Sequence, residues 1–353
     1  MSRLRRKVAL RLFWDGVRAR QRKRPAVAKA LFHSSILVDS TLPHPRRELT
    51  TMQPRPADWP ERVRYVILGT TGTCNASCIH CPTGKAETAH NPRTPMPMEI
   101  FRKIIDGIVE YRLPVEGQIA FGLLGDGLVD PFVLERARYL RKHLPDVLLS
   151  INTNGAAFNR AKHAELNEYA SVISLHCESL DPVIYDDLMR PLRAERVFPK
   201  FQEIFDAFPG KVDVSVPISR KNLHEAASIR AHFQSLGAHF VHFDALMSRC
   251  SEDRTIFDAL SLAPQPVRCG PEIADDLIVD CDGTVLQCCQ DFQRIESIGD
   301  FTKERFVDVL QNVHRAKLRK QMEERRHTER VTCSRCFADS VTPDFPFNHI
   351  TQQ

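Results

Sequence analysis

Three cysteines, Cys74, Cys78 and Cys81, stand within eight residues in the run CNASCIHC. Thiolates are the soft ligands that iron–sulfur clusters use. Three of them at this spacing can wrap one corner of a four-iron cluster and leave one iron without a protein ligand. An open coordination position is where a substrate or cofactor binds, as in catalytic zinc sites. A zinc site would want a fourth Cys or His nearby, and His80, next to Cys81, would strain such a loop.

Six further cysteines lie late in the chain: Cys269, Cys281, Cys288, Cys289, Cys333 and Cys336. Cys333-x2-Cys336 is a usual metal knuckle. Residues 276–289 read as a hairpin turning at Asp282-Gly283, so Gly283-x4-Cys288 puts a thiolate at the end of the return strand. Adjacent side chains on a strand face opposite ways, so only one of Cys288 and Cys289 can serve. Cys281, before the turn, reads as a packed thiol, and Cys177 and Cys250 read as core residues. The N-terminal segment lacks a secretory pattern, so metal ligation is expected over disulfides. A structural zinc ribbon is the rival reading of this second set.

These residues need elements to hold them. Apolar strand candidates fall at 63–71, 118–125, 147–155, 171–178, 212–219 and 240–247, with amphipathic stretches at 98–112, 131–144 and 222–237 between them. Six apolar strands alternating with helices imply an α/β fold with parallel strands buried on both faces. A partial (β/α) barrel and a doubly wound sheet both fit, and in both the chemistry sits at the carboxyl ends of the strands. Asp244, Arg249, Asp253 and His242 lie near the end of the sixth strand. After residue 250 the rhythm changes to short Cys-, Asp- and Gly-rich segments, then a charged helix at 302–326. The domain reading is a basic arm and Pro-rich linker over 1–60, a barrel over 61–250, an auxiliary domain over 251–340 and a tail over 341–353.

Cys-x3-Cys-x2-Cys after the first strand of a βα series resembles the radical S-adenosylmethionine (SAM) superfamily. The resemblance implies a partial (β/α)6 barrel with a four-iron cluster whose open iron is chelated by SAM. Reductive cleavage of SAM then yields a 5′-deoxyadenosyl radical that abstracts a substrate hydrogen. His80 stands where the family has an aromatic residue near the adenine. Gly125 and Asp126 in GDG resemble the family's Gly-Glu-Pro, whose acid holds the SAM amino group. Asn152 in INTNG and Ser174 in ISL are similar to SAM contacts at the third and fourth strand ends. Arg190 is similar to an arginine that pairs with the SAM carboxylate in some relatives.

The late cysteines, with Asp282-Gly283 and Ile298-Gly299-Asp300, resemble the twitch or SPASM extension, in its short form with one auxiliary four-iron cluster. The resemblance implies Cys269, Cys288, Cys333 and Cys336 as ligands, with Cys289 the rival of Cys288. A closed site of this kind transfers electrons rather than binding SAM. The architecture is similar to that of 2-deoxy-scyllo-inosamine dehydrogenases, which implies oxidation of a small-molecule alcohol to a ketone. A peptide or protein maturase is the alternative, and a zinc or iron–sulfur interaction protein the non-catalytic one. A reductant such as flavodoxin or ferredoxin is the implied partner.

Charge is uneven. Residues 1–30 hold eleven Lys/Arg and one acid, Asp15, so the arm carries +10 of a net +5. A basic arm, not a basic surface for nucleic acid, is expected. Leu10, Phe13, Trp14 and Val17 recur at helical spacing, and such a helix suits an anionic membrane, a partner, or packing on its own chain. A mitochondrial presequence shares the Arg-rich, acid-poor character. With 42% hydrophobic and 26% charged residues and no long apolar run, a globular cytoplasmic protein is expected.

Overall fold

The computed structural model describes residues 3–21, 24–39 and 60–340. The chain separates into two units, Met1–Trp59 and Pro60–Gln353. Most of the linker read from the sequence, and the tail after 340, lie outside the described residues.

The first unit is a helical hairpin of α1 (Arg3–Gln21) and α2 (Pro25–Val38). Phe13 and Ala19 pack with Ala28 and Phe32. Gly16 lets the helices close up, because a Cβ there would meet the Phe32 ring at 2.5 Å. The Ser35 hydroxyl donates to the Ala9 carbonyl (2.7 Å). This corrects the face expected for the arm. Phe13 is buried, but Trp14 is 56% exposed. The reason is α2, which starts at Pro25 and sets a buried stripe centred on Phe13.

The second unit is built on a nine-stranded sheet. Its first six strands are β1 (Val66–Leu68), β2 (Gln118–Phe121), β3 (Leu148–Thr153), β4 (Val172–His176), β5 (Val212–Ile218) and β6 (Phe240–Ala245). All are parallel and lie side by side in chain order. The crossovers carry α3 (Met98–Glu110), α4 (Val133–His143), α5 (Pro182–Leu188), α6 (Ala194–Ala207) and α7 (Ala226–Ser235). β6 ends the sheet instead of closing on β1. The result is a partial (β/α)6 barrel, and the doubly wound alternative falls away because the strand order never reverses.

The hydrophobic pattern explains the layers. Ile119, Phe121, Leu149, Ile151, Ile173, Leu175, Val212, Val214 and Val216 are all fully buried, as strands covered on both faces must be. On α3 the buried stripe is Ile100, Phe101, Ile104, Ile105 and Ile108, and Phe101 meets Phe121 edge-on at 5.7 Å. Arg136 on α4 is wholly buried and is held by Asp130 (2.7 Å). Removing either partner would strand a charge in the core, at a cost of roughly 3–5 kcal/mol.

The late segment extends the same sheet. β7 (Pro264–Pro266) pairs with β11 (Phe337–Asp339) in a separate ribbon, whereas β8 (Leu277–Val279) joins β1 in parallel. β9 (Thr284–Leu286) and β10 (Ser297–Asp300) follow antiparallel. The β8–β9 turn has Gly283 at φ +92°, as the Asp-Gly pair predicts. The charged helix expected at 302–326 is instead two pieces, a short helix Phe306–Leu310 and α8 (Val313–Glu323). Asn312 restarts the chain by accepting the Arg315 N–H on its side chain (3.0 Å). Among the described residues, no helix is long and apolar enough to cross a membrane.

Candidate cofactor pocket and auxiliary thiol set

β1 stops at Leu68, earlier than the sequence suggests, because the chain must turn into the cysteine loop. That loop is pinned by backbone bonds: Ser77 N–H donates to the Arg190 carbonyl (2.5 Å) and Ile79 N–H to the Leu188 carbonyl (2.9 Å). Cys74, Cys78 and Cys81 line one wall of a cavity of about 300 Å³ at the carboxyl ends of the strands. Burial pushes the Cys74 thiol up to about 12, with Asp126 adding to it. Burial likewise raises Cys78. A thiolate here needs adjacent positive charge, which iron supplies. Three thiols on one wall of an open cavity, Cys74 and Cys78 among them desolvated, therefore suit an iron–sulfur cluster with one free iron.

The opposite wall follows the strand register. Asn152 pairs with Ser174, and His176 with Ser215, and all four side chains line the cavity. Asn152 donates to the Gly122 carbonyl (3.1 Å). Asp126 also lines it, but its buried carboxylate already accepts from Leu128 N–H (2.9 Å), Asn154 N–H (2.7 Å) and the Thr153 hydroxyl (3.0 Å). Burial raises its pKa, opposed by those bonds. Asp126 thus braces the ends of β2 and β3. Gly125 is there for space: a Cβ would meet the Thr71 carbonyl oxygen at 2.4 Å and that of Thr73 at 2.6 Å.

His80 turns into the protein rather than along the loop. Burial pushes its pKa down to about 4, so the ring is neutral. Its Nδ1 lies 3.4 Å from Glu178, whose other oxygen is 3.3 Å from His176 Nε2. Arg190 is the clear departure from expectation. Its side chain is 61% exposed, pairs with Asp187 and does not line the cavity. The arginine sits in the turn after α5, where the backbone supports the cysteine loop and the side chain points to solvent.

Four cavity residues escaped sequence reasoning. Asn154 donates to Asn75 (2.7 Å) and lies 3.9 Å from the Cys74 sulfur; the INTNG run held it, but a turn explained it equally well. His176 and Ser215 were hidden in apolar strands. Phe292 arrives from the late segment. Of the residues near the end of β6, Arg249 lines the cavity, whereas Asp244 reaches it only through Ser215 (2.5 Å). Asp253 caps the Thr255 N–H (2.9 Å), and His242 faces Asp213 (3.8 Å).

The second thiol set assembles where the β7–β11 ribbon meets α8. Cys269 and Cys333 pack with Ala274, Leu318 and Met322, and Val267 N–H donates to the Cys336 carbonyl (3.0 Å). Cys250 is buried, as expected of a core thiol, but Cys336 is the largest influence raising its pKa, so it stands beside this cluster. The strand alternation expected of Cys288 and Cys289 does not extend to them. β9 ends at Leu286, so both lie in the loop that follows, where the Gln290 N–H donates to the Cys288 sulfur (3.4 Å) and the Gln290 side chain to that of Cys289 (3.7 Å). Cys288, then Arg249, brings the Cys289 thiol down to about 7. Arg249 also reaches Gln290 (3.0 Å) and covers Phe292 at 5.0 Å, linking this set to the cavity. Cys281 contacts the Pro92 carbonyl (3.7 Å) and Cys177 the Ser179 carbonyl (3.3 Å), outside both sets.

Comparison with known proteins agrees with this layout. The Radical SAM superfamily matches residues 68–231, and an iron–sulfur cluster-binding domain, SPASM, matches 269–337. No curated protein is a sequence match. Among solved structures, BtrN in complex with AdoMet and 2-DOIA is similar at TM-score 0.56 and 16% identity, over 78% of this chain and 94% of that one. Native anSMEcpe with bound AdoMet is similar at TM-score 0.56 and 14% identity, over 74% and 84%. SuiB of Streptococcus suis, bound to precursor peptide SuiA, is similar at TM-score 0.51 and 12% identity, over 85% and 80%. This chain therefore carries a radical SAM domain over 68–231 and a SPASM domain over 269–337, with SAM and four-iron clusters as its cofactors.

Proposed function

We propose that this enzyme oxidises a small-molecule alcohol to a carbonyl compound. Cys74, Cys78 and Cys81 hold the catalytic cluster, and Cys269, Cys288, Cys333 and Cys336 hold the auxiliary one. With SAM bound, the catalytic centre supplies a 5′-deoxyadenosyl radical that removes a carbon-bound hydrogen. Asn152, Ser174, the Asp126 carboxylate and the backbone around Gly125 and His80 offer SAM its polar contacts. His176 takes the hydroxyl proton: with Nε2–H directed at Glu178, its Nδ1 is left as the acceptor. Arg249 holds the substrate oxygen. The auxiliary cluster that Cys269, Cys288, Cys333 and Cys336 would hold would supply the acceptor for the remaining electron.

The observation that carries this reading is the bridge made by Arg249 and Phe292 between the cavity and the auxiliary thiols. It gives an oxidised substrate a short way to lose its second electron. The similarity spans nearly the whole length of BtrN, which was crystallised with 2-DOIA. A peptide-modifying reaction is the second reading, favoured by the similarity to SuiB with its precursor peptide.

The test is anaerobic purification, reconstitution with iron and sulfide, and an iron count. The same sample receives SAM and dithionite, and 5′-deoxyadenosine is assayed. The expected result is about eight irons per chain, falling to about four in the Cys74/Cys78/Cys81→Ala variant, with deoxyadenosine from wild type only. About four irons plus one zinc, with deoxyadenosine still made, would remove the electron acceptor and with it the alcohol oxidation.

A further inference from the structure

The hairpin of α1 and α2 leaves one face of α1 uncovered, and that face is of two characters at once. Positions 4, 7, 8, 11, 14 and 18 recur every three or four residues and so share one side of the helix. Leu4 is 71% exposed, Val8 44% and Trp14 56%. Lys7 and Arg11 are exposed between them. Arg18 is exposed too, and pairs with Asp15 (2.5 Å), the single acid of the first thirty residues. Phe13 and Ala19 are buried against α2. The uncovered apolar groups are therefore not surplus core.

We propose that this face docks the chain on an anionic phospholipid surface. Leu4, Val8 and Trp14 enter the headgroup boundary, and Lys7, Arg11 and Arg18 pair with lipid phosphates. Trp suits that boundary because its ring is apolar while its N–H stays hydrated. Lys and Arg stems lie along apolar surface while their charges reach water or phosphate. The helix is too short in apolar residues to span, so it lies in the interface. A nucleic acid would match the cations equally, but it gives Leu4 and Val8 nothing to bury against. This inference is independent of the reaction assigned above.

The test is flotation of the full iron-loaded chain with vesicles of phosphatidylcholine alone, or with about one third phosphatidylglycerol. The expected result is co-flotation with the anionic vesicles only, reversed at about 0.5 M salt. Each cation contributes about fivefold in partition near such a surface, so Lys7→Gln/Arg11→Gln should lower it about twenty-fivefold. Trp14→Ala should lower it independently of salt. Helix content by circular dichroism and deoxyadenosine formation should be unchanged in both variants. Equal partition of wild type and variants overturns the proposal, as does absence of binding to anionic vesicles. So does a nucleic-acid duplex that binds the chain where vesicles do not.

Discussion

Gly125→Ala tests whether this glycine is required by the cofactor or by the fold beneath it. The added Cβ would sit 2.4 Å from the Thr71 carbonyl oxygen and 2.6 Å from that of Thr73. Carbon and carbonyl oxygen normally meet no closer than about 3.3 Å, so the first contact is about 0.9 Å too short. Both obstacles are backbone, and both belong to the segment that leads β1 into Cys74. No side chain can swing away, so the strand end and the cysteine loop must separate. Overpacking of this kind costs about 1–3 kcal/mol, or roughly 5 °C in Tm for a domain of this size. The Asp126 N–H bond to the Thr73 carbonyl (3.1 Å) would be lost with it. The assay is thermal unfolding of the iron-free chain, together with iron bound after reconstitution. The expected outcome is a lower Tm without any cofactor present, and loss of about half the iron. An iron-free variant as stable as wild type, with full iron and weakened SAM binding, would refute the packing argument. Gly125 would then be a SAM contact alone.

Arg190→Gln should leave SAM affinity and deoxyadenosine formation within about twofold, because the side chain is exposed and paired with Asp187; a tenfold loss of SAM affinity would restore the role that the resemblance implies. Single Cys288→Ala and Cys289→Ala variants should differ in iron content, the Cys288 variant falling to between about eight and about four through partial capture by Cys289, and the Cys289 variant keeping its iron; the reverse result would exchange their roles. His163 is buried and pushed down to about 4, by burial first and then by Lys162 and Lys200. Its Nδ1 accepts the Asn159 N–H (3.0 Å), which requires the neutral ring. The unfolded chain takes up a proton near pH 6.5 and the folded chain near pH 4, so stability falls as pH drops through that window, by up to about 3 kcal/mol. Urea unfolding at pH 7 and near pH 4.5 should show that loss in wild type and much less of it in His163→Gln.

What was legible in the sequence was what is local. Three thiols in eight residues define a cluster loop whatever surrounds them, and apolar runs announce buried strands. The cavity wall was less legible because it depends on register. Asn152, Ser174, His176 and Ser215 meet only because four strands pair in one alignment, and no periodicity within one strand reveals it. Phe292 depends on more still: the late segment must fold back and add β8 to the barrel at β1. Trp14 stands in a suggestive run, but α2 decides which face of α1 is buried. Arg190 stands in another, but the turn after α5 sends its side chain to solvent, where it pairs with Asp187.

The adjacent pair Cys288-Cys289 shows where a sound rule was applied one step too far. Alternation holds along a ladder, where backbone pairing forces successive side chains to opposite faces. It lapses once pairing ends, and β9 ends at Leu286. Beyond it the Asp291 N–H donates to the Cys288 carbonyl (3.2 Å), closing a turn in which alternation is no longer imposed. Two thiols at one corner, with Cys250 against Cys336 beside them, exceed the four that a single cluster takes. The surplus is useful if the site must assemble on a turn: either sulfur can capture iron first, and the turn can settle afterwards. On that view, losing the true ligand leaves partial occupancy through its neighbour, and only the double Cys288→Ala/Cys289→Ala variant empties the site. Iron counts on the two single variants and the double variant separate this from a strict one-ligand site, in which one single variant already equals the double.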